Sequence, residues 1–293
     1  MYLLLPPLAA ETIFNFKSFP ISNSLINSTI ALVFFAIIAF LVNRGIKKYY
    51  AKGTELAPKA FINCCEWLIE TLFSYFDQVT GDRKKTVKFL PIVGSFFFFI
   101  LISNWMGLLP GTGSIGIHQL HHGKIELIPL LRPANADLNT TLGLAIFAVI
   151  ASHILGIMAI GFFKYANKFV KLGDIYKAII SFNPVKILVA VIEFFVGFIE
   201  IFSEVAKMVS LSLRLYGNIF AGEVLLTVIA SLIQGYGAFA IPLPFIALEL
   251  IVGIVQATVF SMLTLVYLTI ATAEIHSHDN HEATSETAQA NQH

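Results

Sequence analysis

The chain has 293 residues, of which 57% are apolar and only 13% charged, with a formal net charge of +1 and a mean hydropathy of +0.79. A soluble domain carries about 25% charged residues, so this composition excludes a soluble globular protein and identifies an integral membrane protein. The near-zero net charge gives no reason to expect a nucleic-acid partner.

The opening MYLLLPPLAAETIF has neither a basic region nor a long apolar core, so no cleaved signal peptide is expected. Residues 24–43 are long and apolar enough for a first membrane helix. Arg44, Lys47, Lys48, Lys52 and Lys59 follow at once, which by the positive-inside rule makes that end cytoplasmic and puts the N-terminus outside. Residues 58–79 mix Trp67, Phe73, Tyr75 and Phe76 with Glu66, Glu70 and Asp77. They read as an amphipathic helix on the inner surface, the alternative being a tilted span held by partner helices. The adjacent Cys64 and Cys65 suit neither an unstrained disulfide nor a metal site and read as packing residues.

Arg83, Lys84, Lys85 and Lys88 mark another cytoplasmic flank. The apolar run from Val87 to Leu109 then crosses outward, with Trp105 at the outer interface and Pro110, Gly111 and Gly113 ending the helix. A polar segment with His118, His121, His122, Lys124 and Glu126 reads as a solvated external loop rather than a metal site, since cysteines and paired-histidine spacing are missing. Asp137 is placed to N-cap the next span, which runs from Ala136 and carries His153 at mid-membrane. Such a histidine is either a packed polar residue or a proton relay. Lys164, Lys168, Lys171 and Lys177 return the chain to the cytoplasm.

From Pro184 to about Leu232 the sequence is apolar without a break. As helix this would be roughly 70 Å long, over twice the hydrocarbon thickness, so it must tilt, bend or divide. Gln234 to Gly237, with Pro242 and Pro244, make a turn, and residues 245–273 form a second long helix with Glu249, Gln256 and Tyr267 on one face. The expected architecture is an all-α integral membrane protein with about five membrane helices and a surface amphipathic helix, the two long, tilted C-terminal helices forming a hairpin. Residues 1–275 form a single membrane domain and 276–293 a disordered cytoplasmic tail, in which His276, His278 and His281 read as solvated rather than metal-binding. Of 19 Lys and Arg, only Lys17, Lys124 and Arg132 fall in segments assigned outside, which supports this topology.

The chemistry concentrates between Ser203 and Leu225. An arginine at hydrocarbon depth costs roughly 2.5–3.5 kcal/mol on insertion scales, so Arg214 reads as functional, and its guanidinium is a permanent charge rather than a proton carrier. At about 100° per residue, Lys207, Ser210, Arg214 and Asn218 share one stripe, with Glu200 at its edge and Glu223 on roughly the opposite side.

SLSLRLYGNIFAGEVL (from Ser210), LELIVGIVQATVFSMLTLVYLTIA (from Leu248) and PANADLNTT (Pro133–Thr141) resemble subunit a of the membrane sector of F-type rotary ATP synthases, bacterial type; the likeness runs from AETIF at Ala10–Phe14 to Tyr267. The resemblance implies a stator, not an enzyme on its own and with no cofactor. Arg214 would face the ion-binding carboxylate of each passing c-ring subunit. Asn218, Glu223, Glu249 and Gln256 would line the outer proton half-channel, and Glu200, Lys207 and Ser210 the inner one. Glutamate at both 223 and 249 departs from family members with a histidine at one of them; two close carboxylates would repel, so one should be protonated and act as a relay. The implied partners are the c-ring, the subunit b peripheral stalk, the remaining synthase subunits and the bilayer. The implied location is a bacterial plasma membrane, with the mitochondrial inner membrane as alternative. A sodium-translocating version of the complex is the alternative function. A proton-coupled secondary antiporter is the rival from another class, although inverted repeats and broken helices are not evident.

Overall fold

The structure is a computed structural model that describes residues 11–16, 19–52, 60–109, 116–121, 124–129, 132–163, 165, 184–232 and 241–273. Within these residues the chain forms six α-helices: α1 (Asn23–Lys52), α2 (Ala60–Thr80), α3 (Arg83–Gly107), α4 (Leu138–Ile160), α5 (Pro184–Leu232) and α6 (Pro242–Ala273). Four of them, α1, α3, α4 and α6, are long and apolar enough to cross a membrane. The all-α membrane architecture read from the sequence is therefore present. The basic stretch from Lys164 and the tail beyond residue 273 lie outside the described residues.

The apolar run from Pro184 is one undivided helix of 49 residues, α5, which carries seven charged residues along its length. It forms a continuous helix because nothing between Val185 and Leu232 breaks it: the run has no internal proline, and its glycines sit singly. The following helix starts earlier than expected, at Pro242 instead of residue 245. Both prolines lie in its first turn, where a backbone N–H has no intrahelical acceptor and its loss costs nothing. Between α2 and α3 the chain turns at Gly81 (φ +63°), whose N–H closes the helix end on Asp77 O at 3.0 Å. Asp82 then caps α3 by accepting from Lys84 N at 2.9 Å.

Two antiparallel hairpins qualify the all-α expectation. Strands β1 (Thr12–Phe16) and β2 (Phe19–Ser22) pair just before α1. Strands β3 (Gly116–His121) and β4 (Lys124–Pro129) pair in unbroken register from Gly116↔Pro129 to His121↔Lys124. The second replaces what the sequence suggested was an open loop. The histidines drew attention to solvation, whereas Ile117, Ile125 and Ile128 supply the β-branched positions that favour a paired ribbon.

The chain divides into two compact units, one of residues 1–144 with 211–263, the other of residues 145–210 with 264–293. In the first, Phe89, Val93, Phe96, Phe97 and Ile100 of α3 are buried, and Phe96 meets Phe260 of α6 with ring centroids 5.4 Å apart. Helix α2 packs against α3 through its buried Leu72 and Phe76, while Trp67 and Tyr75 are exposed. Cys64 is exposed and Cys65 half-buried, so the expected packing role does not hold for Cys64: it falls on the outward face of α2. Helix α1 leaves Leu32, Val33, Phe34, Ile37, Phe40 and Leu41 exposed, a surface suited to lipid. In the second unit, α4 approaches α6 closely at Gly156, where a side chain would meet Tyr165 and the carbonyl of Ala271.

At the end of α3 a β-carbon on Gly107 would overlap the Pro133 ring. Gly107→Val should therefore destabilise the first unit by about 1–3 kcal/mol, the usual cost of overpacking. Equilibrium unfolding in mixed detergent micelles measures this, and an unchanged midpoint would show that Pro133 moves aside freely.

Candidate functional site

The site is built where α5 meets α6 and the loop that precedes α4, all within the first unit. On α5, Leu211, Ser212, Leu215, Ile219 and Gly222 are buried. These recur at three- and four-residue steps and seat one face of the helix in the core. Leu213, Arg214, Ala221 and Leu225 form an exposed face, and Asn218, also exposed, borders the buried one. Arg214 stands at the middle of that face and, among the described residues, has no hydrogen-bond or ion-pair partner. On α6, Gly253, Gln256, Ala257, Phe260 and Ser261 form the buried stripe, and Glu249 begins it at 6% exposure.

Polar side chains meet along this seam. Asn218 Nδ2 donates to Gln256 Oε1 at 2.6 Å, while Gln256 Nε2 is buried without a partner among the described residues. Glu249 lies against the α5 backbone: a β-carbon at Gly222 would fall on its carboxylate. Here glycine is required by close approach rather than by backbone angle. Trp105 Nε1 donates to Leu250 O at 3.3 Å, fixing α3 to the start of α6. Asn104 Oδ1 accepts from Asn135 Nδ2 at 2.6 Å, and the Ser103 and Ser261 hydroxyls are buried without partners among the described residues.

Glu223 has a partner that the sequence reading missed. Arg132 Nε donates to Glu223 Oε1 at 3.1 Å and Oε2 at 3.2 Å, and its Nη2 donates to Oε2 at 3.1 Å. The Arg132 side chain is 1% exposed and that of Glu223 19%. Arg132 had been counted as a charge in an external loop. Instead the segment 132–137 is folded inward: Arg132, Ala134, Asn135, Ala136 and Asp137 are all buried. Asn27 Nδ2 of α1 donates to Arg132 O at 2.7 Å, and Ser24 Oγ donates to Asp137 Oδ2 at 2.7 Å. Asp137 Oδ1 accepts from Asn139 N at 3.1 Å, so the N-cap read from the sequence forms. The signal available earlier was that one cation adjoins the PANADLNTT string while Glu223 lacked any partner on its own helix.

In the second unit, Lys207 Nζ donates to Glu204 Oε1 at 2.7 Å and lies 5.3 Å from the centre of the Tyr267 ring. Glu204 Oε2 is 3.7 Å from His153 Nε2, and His153 Nδ1 lies 2.7 Å from the Tyr165 hydroxyl. His153 thus belongs to a polar cluster rather than standing alone. Glu200 is half-buried and Ser210 exposed.

The sequence model of the family described as ATP synthase A chain matches residues 25–269. The chain belongs to that family. An ATP synthase subunit a of Syntrophobacter fumaroxidans is 30% identical over 241 residues, covering 82% of this chain and 83% of the relative. A relative from Propionigenium modestum, named as a sodium ion specific ATP synthase subunit a, is 30% identical over 267 residues, covering 89% and 78% respectively. One from Mycobacterium ulcerans is 36% identical over 203 residues, covering 66% and 70%. The family is thus that of a membrane-sector subunit of the synthase complex, not of an enzyme acting alone, and the apolar helices fit membrane and ion transport.

Within this ATP synthase A chain seam, Asn218→Ala should leave both ends of the buried Gln256 amide unpartnered and cost about 1–3 kcal/mol. Thermal unfolding of the purified subunit tests it; a loss near zero would mean that Gln256 finds another partner.

Proposed function

We propose that this chain is the stator of a proton-translocating rotary ATP synthase, with Arg214 facing the ring of c subunits and two half-channels reaching it from opposite sides of the membrane. The observation that carries the reading is that Arg214, in the middle of an exposed apolar face of α5, has no partner among the described residues. A guanidinium is costly to leave bare in a membrane. A carboxylate on a passing rotor subunit supplies the missing anion, and the fixed cation favours that carboxylate's ionised form. A proton arriving from one side is therefore released near Arg214, and another is taken up beyond it. Since arginine has no neutral form in proteins, it blocks direct passage between the half-channels.

The outer half-channel runs past Glu249, Gln256, Asn218 and Glu223. The buried atoms Gln256 Nε2, Ser103 Oγ and Ser261 Oγ, which have no partner among the described residues, support this, because such atoms are places for water. The inner half-channel runs past Glu200, Lys207 and Ser210, supported by the contact of Lys207 with Glu204. One charge crossing yields only about 2.3 kcal/mol per 100 mV, far less than an ATP requires, so several crossings must be summed by a rotor turning against this stator. The partners are the c-ring, subunit b and the remaining synthase subunits. The membrane is a bacterial plasma membrane, with residues 1–275 as one membrane domain, the N-terminus outside and the 276–293 tail in the cytoplasm.

Arg214→Ala should abolish ATP-driven proton pumping in inverted vesicles while the complex still assembles. Pumping at the wild-type rate would overturn the stator reading. Running the assay with and without sodium separates a proton machine, whose rate is unchanged, from a sodium machine, which stalls without the ion. The isolated chain in liposomes should exchange no ions, whereas an antiporter would.

A further inference from the structure

We infer that Arg132 is a positioning residue of the outer half-channel: it occupies both carboxylate oxygens of Glu223, so that Glu249 alone of the two glutamates takes up and passes on the proton. The inference rests on the outer half-channel proposed above and assigns different work to two residues that the sequence pattern treats alike.

The geometry separates them. Both oxygens of Glu223 receive N–H donors from one guanidinium, in three hydrogen bonds of 3.1 to 3.2 Å. This forked arrangement is the strongest pairing available to a carboxylate. A proton arriving at Glu223 would have to displace a donor and give up the forked pairing with a buried guanidinium, which is unfavourable. Arg132 cannot follow a moving partner either. Its own carbonyl is held by Asn27 at 2.7 Å, and the next residue, Pro133, is wedged against Gly107.

Glu249 is the opposite case. It is 6% exposed, it has no hydrogen-bond or ion-pair partner among the described residues, and it rests on the bare backbone of Gly222. Neither of its oxygens accepts a donor among the described residues, and Gln256 lies two turns further along the same face of α6. The other carboxylate of the inward loop, Asp137, is committed to Ser24 and to the cap of α4. In the proposed cycle Glu249 takes a proton from the outer water and gives it to the carboxylate of the arriving rotor subunit, returning to its starting charge. Arg132 and Glu223 keep their charges throughout and hold the wall of the path in place.

The test is ATP-driven proton pumping by the whole complex in inverted vesicles, expressed per assembled complex, for R132Q, E223Q, R132Q/E223Q, R132K and E249Q. R132Q and E223Q each remove one half of this fork and should slow pumping by about tenfold or more. The double variant, which removes both charges, should recover most of that loss, and R132K, which keeps the charge, should pump faster than R132Q. E249Q should not pump. A double variant as slow as E223Q alone would overturn the inference, because Glu223 would then be needed as a proton carrier. Should the double variant fail to assemble, R132K decides: a rate no better than R132Q overturns it. E249Q pumping like wild type would instead remove the outer half-channel reading beneath it.

Discussion

A guanidinium that is 2% exposed must have an anion beside it, and much of the first unit is arranged so that Arg132 does. The anion comes from α5, the backbone at Arg132 is held by α1, and the following proline packs on the end of α3. Three helices far apart in sequence are thereby fixed around one side chain. The loop that supplies it is not a connection laid over the surface. It is a short inward plug in which Arg132, the Asn135 Nδ2 and Asp137 find partners on different elements.

Two arginines of this unit, Arg132 and Arg214, show what pairing decides. Arg132 is enclosed, forked onto a carboxylate and tied at its own backbone. Arg214 sits on an exposed apolar face with nothing to bind among the described residues. The same side chain in the same membrane protein serves as a fastening in one place and as an open charge in the other. The difference comes from which face of the structure each occupies. A charge already satisfied within the chain has little left to offer a passing partner, whereas an unsatisfied one exerts its full field on whatever approaches.

Most of the helical architecture was legible in the sequence, because apolar runs bounded by basic clusters identify membrane helices from composition alone. Length alone left open whether the α5 run would tilt, bend or divide, while the capping role of Asp137 could be read directly. The β3–β4 hairpin could not, since its histidines and charges masked the β-branched residues, among which Ile117 pairs with Ile128. The seam was legible only one helix at a time. Spacing put Asn218 on α5 and Glu249 and Gln256 on α6, but periodicity within a helix says nothing about which residue of the next helix lies opposite. Arg132 was hidden for the same reason. It lies outside any periodic segment, and counting it as a topological charge gave no hint that the loop turns inward. Glu204 and His153 likewise gain meaning only when α4 and α5 are seen side by side.

The closeness of Glu249 to Gly222 carries an evolutionary consequence. The two positions share one small volume, so they cannot vary independently. A lineage that enlarges residue 222 must shorten or redirect residue 249, and one that shortens residue 249 opens room on the facing helix for a new side chain. An acidic group could in this way migrate from one helix to the other over successive substitutions while its location in space hardly changes. The space between the two helices, rather than either sequence position, then fixes where a carboxylate can stand.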